Sequence, residues 1–159
     1  MFEIIKAVLT NEFKVMFTAA LPIIEIKGAI PLGLSMGMNP WHALLISLIG
    51  SMIPVPFILF GIRPILNLLK KTAFFNRLTV HIETKTLNKS HRIQKYGVWG
   101  LFLFVAIPLP GTGVWTGSLA AVLLDIRFKW AFPAILIGNF VAGIIIFSLS
   151  NGVINLFKF

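Results

Sequence analysis

Two short stretches hold the residues whose types and spacing could do chemistry. The first, ALPIIEIKGAIPLG at residues 20–33, sets Glu25 and Lys27 inside an otherwise apolar run, followed by Gly28 and Pro31. A carboxylate can exchange a proton and an amine can attract an anionic group. Ionisable residues at membrane depth are costly, pair with one another and mark transport paths. Residues two apart do not face each other on a regular helix. In an irregular tip they can, and burial then favours an ion pair or a neutral pair. Two readings stand side by side: a latch that holds the chain together, and a site where Glu25 exchanges a proton while Lys27 attracts an anion.

The second stretch, AIPLPGTGVWTG at residues 106–117, carries no charge but packs two prolines and three glycines into an apolar segment. Its site candidates are Pro108, Pro110, Gly111, Thr112, Gly113, Trp115 and Thr116. Gly111-Thr112-Gly113 can turn several backbone N–H groups toward one point, as glycine nests and helix N-termini do around phosphate or carboxylate. The plainer reading is a tight turn without a ligand. Trp115 either packs at that turn or faces lipid. Helix-breaking runs at membrane depth are tolerated only where protein or a water-filled cavity surrounds the freed backbone groups. Both stretches are site candidates on that ground alone.

The elements that must position them are set by composition. The chain has 159 residues, 57% hydrophobic and 12% charged, with a mean hydropathy of +0.92. Soluble domains carry about a quarter charged residues, so this is an all-α integral membrane protein, read as one membrane domain over residues 1–159. The net charge of +9 comes from 14 basic against 5 acidic residues. Cytoplasmic loops and anionic headgroups account for it without nucleic acid. Cysteine is absent, which excludes disulfides and thiolate chemistry. His42, His81 and His91 lack ligand spacing, and no catalytic triad or Walker loop is present. The expectation is no enzyme, no metal and no cofactor.

In chain order, residues 1–17 alternate apolar and charged positions with helical spacing and lack the features of a signal peptide. They read as an interfacial helix or a packing helix. Residues 15–38 read as a re-entrant hairpin with its broken tip near residues 25–29, turning at Asn39-Pro40. Residues 43–69 form a first span, kinked at Pro54 and Pro56, with Arg63 snorkelling to headgroups. Residues 70–97 hold seven of the basic residues against Glu83 and read as a basic amphipathic cytoplasmic linker. Residues 98–124 read as a second hairpin and residues 130–157 as a second span. In that span Gly138, Ala142 and Gly143 permit close helix approach, and Asn139 needs a partner.

The halves also repeat. The triplet LIG at residues 48–50 recurs at 136–138, an offset of 88 (138 − 50), as Asn67-Leu68 recurs at Asn155-Leu156 and Lys70 at Lys158. ALP at residues 20–22 faces AIP at 106–108 at an offset of 86 (108 − 22), leaving a two-residue insertion between. Each half (residues 15–69 and 98–157) reads as a re-entrant hairpin followed by a span. The two halves then enter from opposite sides as inverted repeats, with the tips forming a two-sided site. The rival topology is four full spans with both ends inside.

The strings PIIEIKGAIPLGL and FVAIPLPGTGVWTGSLAA closely resemble the small multidrug export family of bacterial membrane proteins. Across both motifs the resemblance marks Glu25, Lys27, Gly28, Ala29, Ile30 and Pro31, then Pro108, Pro110, Gly111, Thr112, Gly113, Trp115, Thr116 and Gly117. Lysine stands at position 27 where that family commonly has arginine, which keeps the charge and loses the bidentate fork. A more distant similarity, of architecture only, is to the DedA superfamily, associated with moving lipid carriers. The resemblance implies a multi-pass protein of the bacterial cytoplasmic membrane. The expected function is a proton-linked transporter of an anionic lipid carrier or headgroup-bearing substrate, with membrane lipid, protons and a second copy of the chain as partners. The alternatives are export of small cationic or amphipathic compounds and a non-transporting assembly protein.

Overall fold

Proline and glycine positions decide where this apolar chain stops being helical. The computed structural model describes residues 2–71 and 73–156, and among them every regular element is an α-helix. The first, α1 (Phe2–Ala20), stops two residues before Pro22, since the residue ahead of a proline is pushed out of helical geometry. A turn over residues 21–24 leads into α2 (Glu25–Ser35). Then α3 (Pro40–Met52) opens with Pro40 in its first turn and Asn39 as its cap, the Asn39 side chain accepting from the Trp41 N–H at 3.0 Å. Both are strong start signals. The single residue Ile53 separates α3 from α4 (Pro54–Lys70). Next come α5 (Ala73–Lys89) and α6 (His91–Ala106), the latter broken at Gly97, whose φ of 56° and ψ of −127° lie outside the helical region. Finally α7 (Val114–Leu123) and α8 (Phe128–Leu156) complete the chain.

Two compact units result. The first comprises Met1–Ile53 with Asn139–Phe159 and the second Pro54–Gly138. In the first, α1, α2 and α3 pack against one another. Val15, Ala19 and Ala29 form one buried cluster, and Ile26, Ile30 and Leu44 join Ala142 and Ile146 of α8 in another. The small residues let the helices close up. A Cβ on Gly50 would collide with the Met16 carbonyl oxygen of α1, and one on Gly143 would lie 3.2 Å from the Leu44 and Leu48 side chains. Asn139 finds its partner here, donating to the Ser51 hydroxyl at 2.7 Å with both side chains buried.

In the second unit α7 packs on α4, α5 and α6. A Cβ on Gly138 would lie 2.8 Å from the Phe102 carbonyl oxygen and 3.0 Å from the Val105 side chain. The linker residues are helical and partly buried: Thr79, Thr86, Ser90 and Ile93 are all inside.

One backbone pattern occurs in both units. At the end of α2 the N–H groups of Met36, Gly37 and Met38 donate to Leu32, Leu34 and Gly33 at 3.0, 3.1 and 3.1 Å. At the end of α7 those of Leu124, Asp125 and Ile126 donate to Ala120, Val122 and Ala121 at 2.9, 3.3 and 2.9 Å. Each bond recurs 88 residues on, the separation that also relates Ser51 to Asn139. The left-handed residue that closes such a cap is Gly37 in one place (φ 74°) and Asp125 in the other (φ 58°).

Several sequence expectations shift. The helix break expected at residues 25–29 falls at residues 21–24, because Pro22 ends α1 and Lys27, Gly28 and Pro31 then lie within α2. The N-terminal helix is continuous through Ala20 and its second half packs inside the first unit. Between α3 and α4 only Ile53 intervenes, itself at helical angles (φ −55°, ψ −49°), so the expected kink falls at Pro54. The stretches long and apolar enough to cross a membrane are Pro40–Leu68 and Phe128–Val153. The Lys158 match to Lys70 lies outside the described residues.

Because the Gly50 and Gly138 Cβ positions meet backbone oxygen, Gly50→Ala and Gly138→Ala should each destabilise by about 1 to 3 kcal/mol. Gly61 and Gly152 face open space, so alanine there should cost nothing or stabilise by up to about 1 kcal/mol. Thermal unfolding in detergent ranks the four variants; equal melting temperatures would contradict the packing described.

Candidate functional site

Glu25 opens α2 with a φ of 50°, a left-handed conformation that a residue bearing a side chain seldom adopts. Its N–H donates to the Leu21 carbonyl at 3.1 Å, so the turn after Pro22 is closed on itself and delivers Glu25 into the unit interior, 5% exposed. The positive φ also explains a contact that a regular helix forbids. Lys27 Nζ lies 3.5 Å from Glu25 Oε2, with the lysine side chain 27% exposed. Glu25 and Lys27 thus meet although only two residues apart, because the first of them is not helical. Gly28 sits where a Cβ would collide with Ile24, and Pro31 follows one turn later, half-buried. Placing a carboxylate in low dielectric is costly unless a cation accompanies it, and Lys27 is that cation.

In the second unit the Thr112 side chain ties together the loop between α6 and α7. Ile107 is extended (φ −89°, ψ 113°), as the residue before Pro108 must be. The Thr112 hydroxyl accepts from the Leu109 N–H at 3.1 Å and lies 2.8 Å from the Ile107 carbonyl oxygen and 2.9 Å from that of Leu109. Gly111 (φ 80°) and Gly113 (φ 138°, ψ −168°) take conformations open to glycine. Gly113 caps α7 and its carbonyl receives the Gly117 N–H at 2.9 Å. Pro108, Trp115 and Thr116 are half-buried, Pro110 and Gly111 exposed.

The sequence candidates therefore divide by unit: Glu25, Lys27, Gly28 and Pro31 in the first, Pro108 through Thr116 in the second.

Three residues escaped the sequence reading. Arg63, expected to snorkel, donates to the Val122 carbonyl oxygen at 2.5 Å and pairs with Asp125 at 2.6 Å, so it caps the end of α7. The need for a donor at a helix C-terminus was the available signal. Lys89 ends α5 beside Gly111, where a Cβ would collide with its amine, and His91 lines the same cavity. Neither announces itself locally in the sequence. The other acids with described side chains are paired as well: Glu12 with His42 at 3.1 Å and Glu83 with Lys70 at 2.8 Å. Among the described residues no cluster of three potential metal ligands exists.

A helical membrane protein whose helices break at a buried ion pair and at a glycine loop is the class that fold and site define. The chain belongs to the family described as "Putative small multi-drug export protein", whose model matches residues 25–145 and so includes residues 25–33 of the first stretch and all of the second. No curated protein and no solved structure matches the chain.

Thr112 is the only side chain tying the loop's carbonyls in the bonds above, so its loss should show locally. Thr112→Val should raise amide hydrogen exchange over residues 107–113 by about tenfold or more, the effect of leaving part-buried polar groups without their partner. Thr112→Ser should exchange like the parent; a fast-exchanging parent loop would sink the assignment.

Proposed function

We propose that this protein is a proton-linked membrane transporter in which Glu25 exchanges the proton and Lys27 holds the site's charge when the carboxylate is ionised. The observation that carries the reading is the buried pair itself, with the carboxylate 5% exposed at a positive φ of 50°. Backbone strain of this kind costs on the order of 1 to 3 kcal/mol and gathers at functional sites. Intramembrane ionisable groups are functional by default. The substrate in this reading is an anionic lipid carrier or another headgroup-bearing molecule, received at the Gly111-Thr112-Gly113 loop, and a second copy of the chain completes the path. Export of small cationic or amphipathic compounds is the second reading, favoured by the description of the family to which the chain belongs. In that case Glu25 is the counter-charge.

We also infer that the chain is a duplicated, inverted pair of re-entrant hairpins in the bacterial cytoplasmic membrane. Lengths support it: α2 has 11 residues and α7 has 10, about 15 to 16 Å at 1.5 Å per residue, half of the roughly 30 Å hydrocarbon core. The recurrence of three capping bonds at 88 residues supports the duplication. So does the bond between Ser51 and Asn139, since a residue reaches its own counterpart where two copies meet about a two-fold axis.

Two experiments test these readings. In proteoliposomes with an imposed pH gradient, Glu25→Gln should abolish gradient-driven uptake while leaving the folded yield intact; an unaltered rate would remove the proton role. Substrates of both classes belong in that assay, with Lys27→Ala slowing an anionic lipid and sparing a cation. For topology, the chain lacks native cysteine, so single cysteines at positions 39 and 126 can be labelled with an impermeant maleimide. Opposite sidedness is expected of the hairpins, and labelling from one side only would establish four full spans.

A further inference from the structure

The α5 helix carries His81, Lys85 and Lys89 four residues apart, a spacing that puts them on one helix face. The last of them reaches the glycine loop of the second unit. A cavity of about 220 Å³ lies there, lined by Lys89, His91 and Thr112 together with Leu103, Phe104 and Ile107 among its apolar walls. Gly111 makes the approach possible, because any side chain at that position would displace the Lys89 amine.

Charge balance shows what the cavity lacks. The four acids with described side chains, Glu12, Glu25, Glu83 and Asp125, each already face a basic partner elsewhere. The side chains of Lys89 and His91 make no ion pair or hydrogen bond with another described residue. An ammonium brings three donors and an imidazole at least one. Here they converge on a cavity whose remaining lining is mostly apolar.

We propose that this cavity binds a phosphate group, held by Lys89 and His91 against the Ile107–Thr112 loop. The proposal rests on the transporter reading for its meaning and specifies where the headgroup is received: the cation at the glycine loop is Lys89, within the loop's own unit. Size argues for a headgroup. Pockets for drug-sized molecules begin at about 300 Å³, above the 220 Å³ available. The apolar wall of Leu103, Phe104, Ile107 and Leu109 suits a phosphate that carries an alkyl chain, while the donors would serve a free phosphate equally.

The test is equilibrium binding by titration calorimetry on the full chain in nanodiscs of zwitterionic lipid, using inorganic phosphate in one arm and dodecyl phosphate in the other, with dodecyl maltoside as the uncharged control. One saturable site for dodecyl phosphate alone assigns a lipid phosphate, and equal affinity for both probes assigns free phosphate; either supports the site. Lys89→Ala should weaken binding about tenfold or more, as loss of a hydrogen-bonded charge does, and His91→Gln should weaken it less. Lys89→Arg should restore most of the affinity, which guards against a folding defect. Lys95→Ala and Lys129→Ala, whose amines lie over Tyr96 and Trp130, should bind like the parent. Absence of saturable binding by both phosphates, or a Lys89→Ala affinity equal to the parent's, would overturn the proposal, as would equal binding of the maltoside. No gradient enters the assay, so Glu25→Gln can lose transport with this binding intact, and the two ideas fail separately.

Discussion

The helix interruptions in the apolar stretches of this chain leave backbone N–H and carbonyl groups in surroundings where water is scarce, and the fold is arranged to satisfy them internally. The ends of α2 and α7 are closed by the same three crossed bonds, from residues 36–38 to residues 32–34 and from 124–126 to 120–122. The end of α7 needs one donor more, and Arg63 supplies it to Val122. Between α6 and α7 two prolines remove donors altogether, and the Thr112 hydroxyl stands in as acceptor and donor within the loop. Short helices, glycine at positive φ and polar side chains near the breaks all follow from that one requirement.

How far the sequence carries can be seen residue by residue. Membrane helices were legible because hydropathy is a sum over many residues, and Asn39-Pro40 was legible because cap and first-turn signals are local. The need of Asn139 for a partner could be stated from its position in an apolar span. That the partner is Ser51 could not, since the two lie 88 residues apart. The hairpin break was misplaced by a few residues for a comparable reason. Gly28 lies within the expected tip at residues 25–29, yet it serves close packing against Ile24, and Pro22 does the breaking. The approach of Lys89 to Gly111 depends on how α5 returns beside the loop, which no local pattern encodes.

Close approach is the second recurring device. Gly50 meets Met16 and Ala19, while Gly138 meets Phe102 and Val105. The helix partners are displaced by 86 residues and the glycines by 88, while the capping bonds from Leu32 and Ala120 onward keep the offset of 88. Under the duplication proposed above, that places the insertion within the PLPGTG loop. The two halves would then keep one packing scheme and differ where chemistry is placed: a short turn ending in a carboxylate at Glu25, and a longer loop ending in Gly113 at the corresponding position. Both residues have positive φ, 50° and 138°, so glycine is the relaxed solution and glutamate the strained one.

That contrast bears on whether the Glu25–Lys27 pair is merely a latch. A buried ion pair is a poor source of stability, because desolvation offsets much of the attraction and well-packed apolar residues of similar volume often do as well or better. At position 25 the disadvantage is doubled, since a left-handed backbone adds strain that glycine would avoid. Ile26, Ala29 and Ile30 bury the same helix against its neighbours, so the pair is not alone in holding α2 in place. On the transport reading proposed above, a group that costs stability twice is accounted for by the chemistry of a carboxylate, which takes up and releases a proton beside an amine.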